Sequence, residues 1–377
     1  MALQRLALVT DAWLPQTNGV ALTLSKVVKH LESEGIEVLV VAPDPAWHKT
    51  IALPSYPEIK LAIDPWKAVE RIRAFDPDAV HIATEGSLGF WVNGWMRRRG
   101  LRFTTSFHTR YPEYLSARYP IPVEWGYQLV RWFHGVADHT LVSTHSIVRD
   151  LEERRVGKKL VYWPRGVDTE LFHPSRRNAE CYAGLKGPIW VYIGRVAVEK
   201  SIEDFLSLPL DGTKVVVGDG PARAGLQKQF PEVVFRGYRY REDLATHYAS
   251  ADYFVFPSRT DTFGNVLLEA LASGLPVASV PSPGPDDLLT EGVNGAVDDD
   301  LLAACRRVVR CPREKAREVA ADYTFHASHE LFRASLVPLR PQLLAADGRR
   351  FLPLSTPASS QRLSGTQGVA AAAAPGA

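Results

Sequence analysis

Residues 6–44 read "LALVTDAWLPQTNGVALTLSKVVKHLESEGIEVLVVAPD", and this stretch decides the fold. Leu6 to Val9 form a continuous apolar run, which suits a strand buried on both faces. Pro15, Asn18 and Gly19 then break the chain into a loop. Val20, Leu24, Val27, Val28 and Leu31 follow at helical spacing, drawing one apolar stripe. Gly35 stops that helix, and "EVLVVAP" returns as a second buried strand. Strand, helix and strand in this order make a βαβ unit, whose crossover is right-handed.

Outward from this unit the same grammar repeats. "DAVHIAT" (78–84), "RFTTSFH" (102–108), "HTLVST" (139–144) and "KLVYW" (159–163) are short strands separated by helical stretches, the pattern of a parallel doubly wound sheet. A Pro-, Arg- and Asn-rich linker, "PRGVDTELFHPSRRN" (164–178), interrupts it. Five more strands follow: "IWVYIGR", "TKVVVGDG", "EVVFRGY", "YFVFPS" and "PVASV". The expected fold class is α/β, with two Rossmann-like doubly wound domains, residues 1–170 and 171–345, facing across a cleft. Ser201 with Asp204 is read as a capping box for the helix after "GRVAVEK". Residues 346–377, rich in Ser, Pro, Gly and Ala, are expected to be a disordered tail.

Composition narrows the function. A chain of 377 residues, 46% apolar, has material for two cores. Forty-four basic against 42 acidic side chains leave a charge of +2, which argues against a nucleic-acid partner. Three cysteines, Cys181, Cys305 and Cys311, lack metal-ligand spacing and fit a reducing compartment. No apolar run reaches about 18 residues and no signal-peptide pattern opens the chain. A cytoplasmic protein, neither exported nor membrane-spanning, is expected.

The candidate chemistry lies in "SRTDTFGNVLLEALASGLPV" (258–277). Here a buried strand ends in a loop holding Asp261, and a helix begins at Gly264 and Asn265. Unpaired N–H groups and the positive dipole end at such a helix start suit an anion. Glu269 lies about one turn further on. Two carboxylates accept hydrogen bonds from vicinal hydroxyls, as on a ribose or hexose; the alternative is a loop acid and a solvated helix acid. Arg195 and Lys200 leave the end of the first strand of the same domain, where a fork and a point charge suit a pyrophosphate; the alternative is a solvated basic pair. "GDGP" (218–221), with Pro221 read at the first helical position, has the shape of a phosphate turn but is weak alone. His108 ends its strand at the cleft edge, where a lone histidine is more often structural.

Together these residues resemble the retaining glycosyltransferases of family 4, which have the two-domain GT-B fold. The resemblance runs from "TDAWLPQTNGV" through "HIATEGSLGF", "TTSFHTRYPEYL", "PRGVDTELFHP", "GRVAVEK" and "GDGP" to "DTFGNVLLEALASGLPV" and "EGVNGAV", roughly residues 5–335. "SYPEIKLAI", "HIATEG" and "FHTRYPEY" are similar to the branch holding GDP-mannose-dependent α-mannosyltransferases, sulfoquinovosyl diacylglycerol synthases and bacterial glycosyl diacylglycerol synthases. The resemblance implies a hexosyltransferase in which Glu269 holds the ribose of a nucleotide sugar and Asp261 approaches the sugar hydroxyls. Asp261 stands where the general family pattern has Glu. Phe263, Gly264 and Asn265 would offer backbone amides to the sugar, and Arg195 and Lys200 would hold the pyrophosphate. Gly19 would let backbone approach the diphosphate from the other domain. His108 would position the donor near the anomeric centre, and Glu85 and Gly86 would lie on the acceptor face, unless they form an ordinary turn.

No Asp-x-Asp pattern stands at the strand ends, and a metal-independent front-face transfer without cofactor is expected. "RGYRYRED" (236–243) is where contacts to a uracil or guanine base are expected. Two segments offer contact with an anionic membrane, or else simply pack on the sheet. "SLGFWVNGWMRRRGLRF" (87–103) sets Phe90, Trp91 and Trp95 beside Arg97, Arg98, Arg99 and Arg102, and "DPWKAVERIRAF" (64–75) sets Trp66 among basic residues. The acceptor is expected to be a lipid, diacylglycerol being the first choice, with a saccharide as the alternative. A third alternative is a nucleotide-sugar-binding protein that does not transfer.

Overall fold

The computed structural model describes residues 3–339, apart from residues 17, 54–55 and 119–120. The expected disordered tail, 346–377, lies outside the described residues. Fourteen strands are described: β1 (Arg5–Val9), β2 (Glu37–Val41), β3 (Thr50–Leu53), β4 (Tyr56–Ala62), β5 (Ala79–Ile82), β6 (Thr104–Phe107), β7 (His139–Val142), β8 (Leu160–Tyr162), β9 (Ile189–Ile193), β10 (Thr213–Val217), β11 (Val234–Gly237), β12 (Tyr253–Phe256), β13 (Val277–Ser279) and β14 (Gly295–Val297).

Twelve of them form two six-stranded parallel sheets. The first runs β2-β1-β5-β6-β7-β8, and the second β11-β10-β9-β12-β13-β14. The strand order therefore reverses between β1 and β5 in the first sheet and between β9 and β12 in the second. At such a switch point the loops from neighbouring strands diverge to opposite faces and leave a crevice at the carboxyl ends. Each sheet is buried on both faces, because helices return every crossover. Leu6 and Leu8 pack on the helix Gly19–Ser33, whose Leu24, Val27, Val28 and Leu31 are buried, while Ala7 and Val9 pack on the other side. At about 1.5–3 kcal/mol for each fully buried Leu, Val or Phe, these clusters hold each sheet together.

Two elements escape the sequence pattern. β3 and β4 pair antiparallel as a small hairpin, hidden because Pro57 interrupts its alternation. β14 is only three residues long. One expected detail is corrected: Ser201 makes no side-chain cap. It has φ +49°, because it closes the 3-10 turn Val198–Lys200, and its backbone carbonyl, not its hydroxyl, accepts the Asp204 N–H at 3.1 Å. An N-cap side chain needs extended backbone, which this turn forbids.

The segment after the second sheet returns to the first. The helix Phe325–Ser335 packs on the helix Gly19–Ser33, and its Phe332 is buried beside Trp163. Trp163 Nε1 donates to the Ser328 carbonyl at 3.0 Å, and the Ser328 hydroxyl donates to the Pro164 carbonyl at 2.7 Å. The Leu339 N–H reaches the Asp78 carbonyl at 2.8 Å. The two sheets are thus joined by the linker and by this helix, with the carboxyl ends of their strands facing one another.

Candidate active site

The switch point of the second sheet gathers the charged residues. β9 ends in the loop carrying Arg195 and Lys200, and β12 ends in the loop carrying Asp261. Lys200 Nζ donates to Asp261 Oδ1 at 2.5 Å, and the Thr260 hydroxyl donates to the Glu199 carbonyl at 3.1 Å, so the two loops are tied. Gly264 then takes φ +78°, a left-handed backbone that only glycine adopts without strain, and opens the helix Asn265–Ala272. Phe263 is buried in the core of this domain and anchors the loop, leaving its neighbours' backbone N–H groups at the helix start.

Glu269 is one turn in. It accepts the Tyr248 hydroxyl at 2.9 Å. Burial pushes its carboxyl up to about 7, against the opposing pull of that hydroxyl and of Lys26. Lys26 comes from the helix Gly19–Ser33 of the first domain. Burial lowers its ammonium, while Glu269 and Asp168 act in the other direction. A Cβ built on Gly19 would stand 3.6 Å from Asn265 Nδ2. The starts of the helices Gly19–Ser33 and Asn265–Ala272 therefore meet across the cleft, and their positive dipole ends point to one place. The pocket at this seam, lined by Thr23, Lys26, Gly166, Asn265 and Phe325 among others, is only about 20 Å³.

His108 closes the site from the first domain, just past β6. Its ring is buried, and Arg165 Nη2 lies 2.6 Å from its Nδ1. Its carbonyl accepts the Thr262 hydroxyl at 2.7 Å, which links it to the loop of Asp261 and Phe263. Burial holds its imidazole well below the usual range, helped by Arg165, His81 and His134. Burial likewise brings Arg165 down to about 10.

Glu85 lies past the end of β5, at the first sheet's switch point. It meets His134 Nε2 at 3.0 Å, and His134 Nδ1 meets the Thr105 hydroxyl at 2.8 Å. Glu85 Oε2 is buried without a hydrogen-bond partner among the described residues. It borders a pocket of about 190 Å³ whose other walls are Phe90, Tyr111, Pro112, Gly126, Leu129 and Val130. Gly86 faces inward: a Cβ there would stand 2.2 Å from Asp11 Cγ. Asp11 accepts the Ser87 hydroxyl at 2.8 Å and the Leu88 N–H at 3.2 Å, anchoring the start of the helix Ser87–Arg98.

The structure brings together Lys200, Asp261, Phe263, Gly264, Asn265 and Glu269 with Gly19 and His108, leaves Arg195 on the loop after β9, and sets Glu85 beside the apolar pocket. "GDGP" is corrected: the helix there begins at Arg223, after Pro221. Its glycines serve close packing, since a Cβ on Gly218 would lie 1.9 Å from the Gly194 carbonyl oxygen and one on Gly220 2.3 Å from that of Val196. Tyr238 and Tyr240, in the stretch read for base contacts, are exposed. Sequence reasoning missed Lys26, Tyr248 and Arg165 as parts of the site. It also missed the helix Val123–His134. That helix buries Tyr127, Val130 and Phe133 yet exposes Trp125, Leu129 and Trp132, at i, i+4 and i+7. The double apolar spacing was the available signal. Among the described residues, one group with metal-ligand spacing, His30, Glu34 and Glu330, sits at the far end of the helix Gly19–Ser33 from the cleft. No helix among the described residues is long and apolar enough to cross a membrane.

Residues 17–171 match the family model "Glycosyltransferase Family 4", and residues 187–311 match "Glycosyl transferases group 1". The chain is 35% identical over 311 residues to a GDP-mannose-dependent alpha-mannosyltransferase of Mycobacterium tuberculosis, covering 76% of this chain and 81% of that one. It is 26% identical to the alpha-monoglucosyldiacylglycerol synthase of Streptococcus pneumoniae, covering 88% of this chain and 86% of that one. Among solved structures, a sucrose-phosphate synthase from Thermosynechococcus elongatus superposes with a TM-score of 0.70 at 21% identity, over 91% of this chain and 100% of that one.

Proposed function

Because the chain belongs to glycosyltransferase family 4, with the GT-B fold, we propose that it moves a hexose from a UDP- or GDP-linked donor to a lipid acceptor, diacylglycerol or a close relative, with retention of configuration. Glycosyl transfer from a nucleotide sugar is the activity of the family; the acceptor is the new part. The observation that carries it is the apolar pocket beside Glu85, continuous through Leu129 with the exposed stripe of Trp125, Leu129 and Trp132. A helix needs one apolar face to pack on its sheet; a second has no use in water. Arg97 stacks 4.6 Å over Trp132, and Trp66 and Trp91 are exposed nearby, 6.3 Å apart. Aromatics beside arginines suit an anionic membrane surface, and the enzyme would work peripherally on its cytoplasmic side.

In this reading the donor diphosphate lies between the two facing helix starts, with Arg195 and Lys200 around it. Glu269 accepts ribose hydroxyls, and Asp261 with the backbone of Phe263, Gly264 and Asn265 holds the sugar. The bond from the anomeric carbon to the diphosphate breaks, and the acceptor oxygen bonds to that carbon on the same face. The acceptor proton passes to the departing phosphate oxygen. Arg195, Lys200 and the helix dipoles stabilise the charge that develops there. The chain's own cations supply the positive charge, and the reaction is proposed to need no metal. Entry of the donor between the facing helix starts is proposed to part the two domains.

The test is transfer of radiolabel from GDP-mannose, UDP-glucose and UDP-glucuronate, in parallel, to diacylglycerol in anionic vesicles with EDTA. Donor-dependent labelled glycolipid is expected. Label entering only an added oligosaccharide would replace the lipid acceptor by a saccharide, and activity lost to EDTA would end the metal-free mechanism.

A further inference from the structure

Arg165 lies in the linker, just past β8, and nothing in the transfer described above uses it. It is 5% exposed, with its guanidinium 4.7 Å over the Trp163 ring. Among the described residues no carboxylate pairs with it, and Nη1 has no hydrogen-bond partner. A buried cation without an acid is costly, and a neutral side chain of similar size would pack there more cheaply. The backbone is fixed tightly around it. Pro164 accepts the Ser328 hydroxyl, the Val167 N–H reaches the Tyr323 carbonyl at 2.8 Å, and a Cβ on Gly166 would collide with Phe325. The charge is therefore held against one partner, His108 Nδ1, at 2.6 Å.

That contact has one chemical consequence. A guanidinium only donates, so Nδ1 must accept, and a neutral imidazole that accepts at Nδ1 carries its proton on Nε2. His108 Nε2 is buried and has no hydrogen-bond partner among the described residues. We propose that Arg165 is a positioning residue that holds His108 as the neutral, Nε2-protonated tautomer, making it a fixed hydrogen-bond donor to a substrate hydroxyl rather than a proton-transfer group. The surroundings agree. Among the described residues, His81 from β5 and His134 from the helix Val123–His134 are the other titratable groups facing the ring, Trp163 packs 5.9 Å from it, and no carboxylate stands against it. Protonation would set an imidazolium against Arg165. The inference rests on the proposed transfer for its kinetic part only.

The test uses the full chain labelled with ¹⁵N-histidine, with His108→Asn to assign the signal. At pH 7 the wild type should show His108 unprotonated at Nδ1 and protonated at Nε2, unchanged from pH 5.5 to 8. Arg165→Met should release a tautomer mixture that titrates, and should lower kcat by about 100-fold, the cost of a misplaced group at the reacting centre, with little change in donor KM. Arg165→Lys, which keeps a donor, should recover part of both. A wild-type His108 that is protonated at Nδ1 or titrates in this range overturns the proposal, whether or not either variant folds. So does Arg165→Met with wild-type kcat and tautomer. If no donor is turned over by the wild type, the proposed transfer falls while the tautomer still decides the role of Arg165.

Discussion

The two switch points of this molecule are built in opposite ways. At β9 and β12 the second domain places full charges on loops and balances them within the domain, Lys200 against Asp261. At the ends of β5 and β6 the first domain presents buried side chains and apolar walls: His108, His134 with Glu85, and the pocket lined by Phe90 and Leu129. A charged diphosphate needs the first kind of surface and an uncharged hydroxyl on a fatty body needs the second. Under the proposed function, this difference would sort donor and acceptor by the electrostatics of the two domains before any residue touches the reacting bond.

That contrast can be broken experimentally. Lys200→Met removes the charge at the leaving diphosphate and should lower kcat by about 10²–10³-fold, read in single-turnover transfer; a change in acceptor KM alone would place Lys200 on the wrong side. Trp125→Ser with Leu129→Ser should leave donor binding intact and weaken sedimentation with anionic vesicles by at least about tenfold, since each withdrawn apolar side chain is worth roughly 1.5–3 kcal/mol and every 1.4 kcal/mol is tenfold. Equal sedimentation would remove the stripe from membrane contact. The smallest effect is expected from Thr262→Val, which deletes the hydroxyl bond to the His108 carbonyl between the domains. Its loss, about 1 kcal/mol, should favour the open cleft and raise amide exchange around His108.

The second domain was the more legible in sequence. Parallel strands buried on both faces are continuous apolar runs, so "IWVYIGR" and "YFVFPS" announced themselves, and Arg195, Lys200, Asp261 and Glu269 all stand within short motifs at strand ends. What stayed hidden depends on distance along the chain. Arg165 and His108 are 57 residues apart, Tyr248 and Glu269 21, and Lys26 meets the field of Glu269 only because the domains face each other. Ser201 failed as a cap because its backbone is set by the preceding turn, which its side-chain type does not reveal. In the first domain the helix Val123–His134 carries two apolar faces, and spacing alone does not say which of them packs.

Glu269 gives the most direct test of where the donor binds. Burial holds its carboxyl near 7, above the ordinary range. From about pH 4.5 to about 7 the folded chain therefore keeps a proton that the unfolded chain has released, and this group's contribution to stability falls as pH rises through that window. Ribose hydroxyls donate to the ionised form, so donor binding expels the proton below pH 7 and gains affinity as pH rises, by at most about tenfold per unit, levelling above 7. The measurement is calorimetric titration of UDP and GDP from pH 5.5 to 8 with the wild type and Glu269→Gln. The account predicts that the preferred nucleotide binds the wild type more tightly as pH approaches 7 and binds the variant weakly with no such slope. Equal affinity and equal slope in both proteins would contradict it and move the ribose away from Glu269.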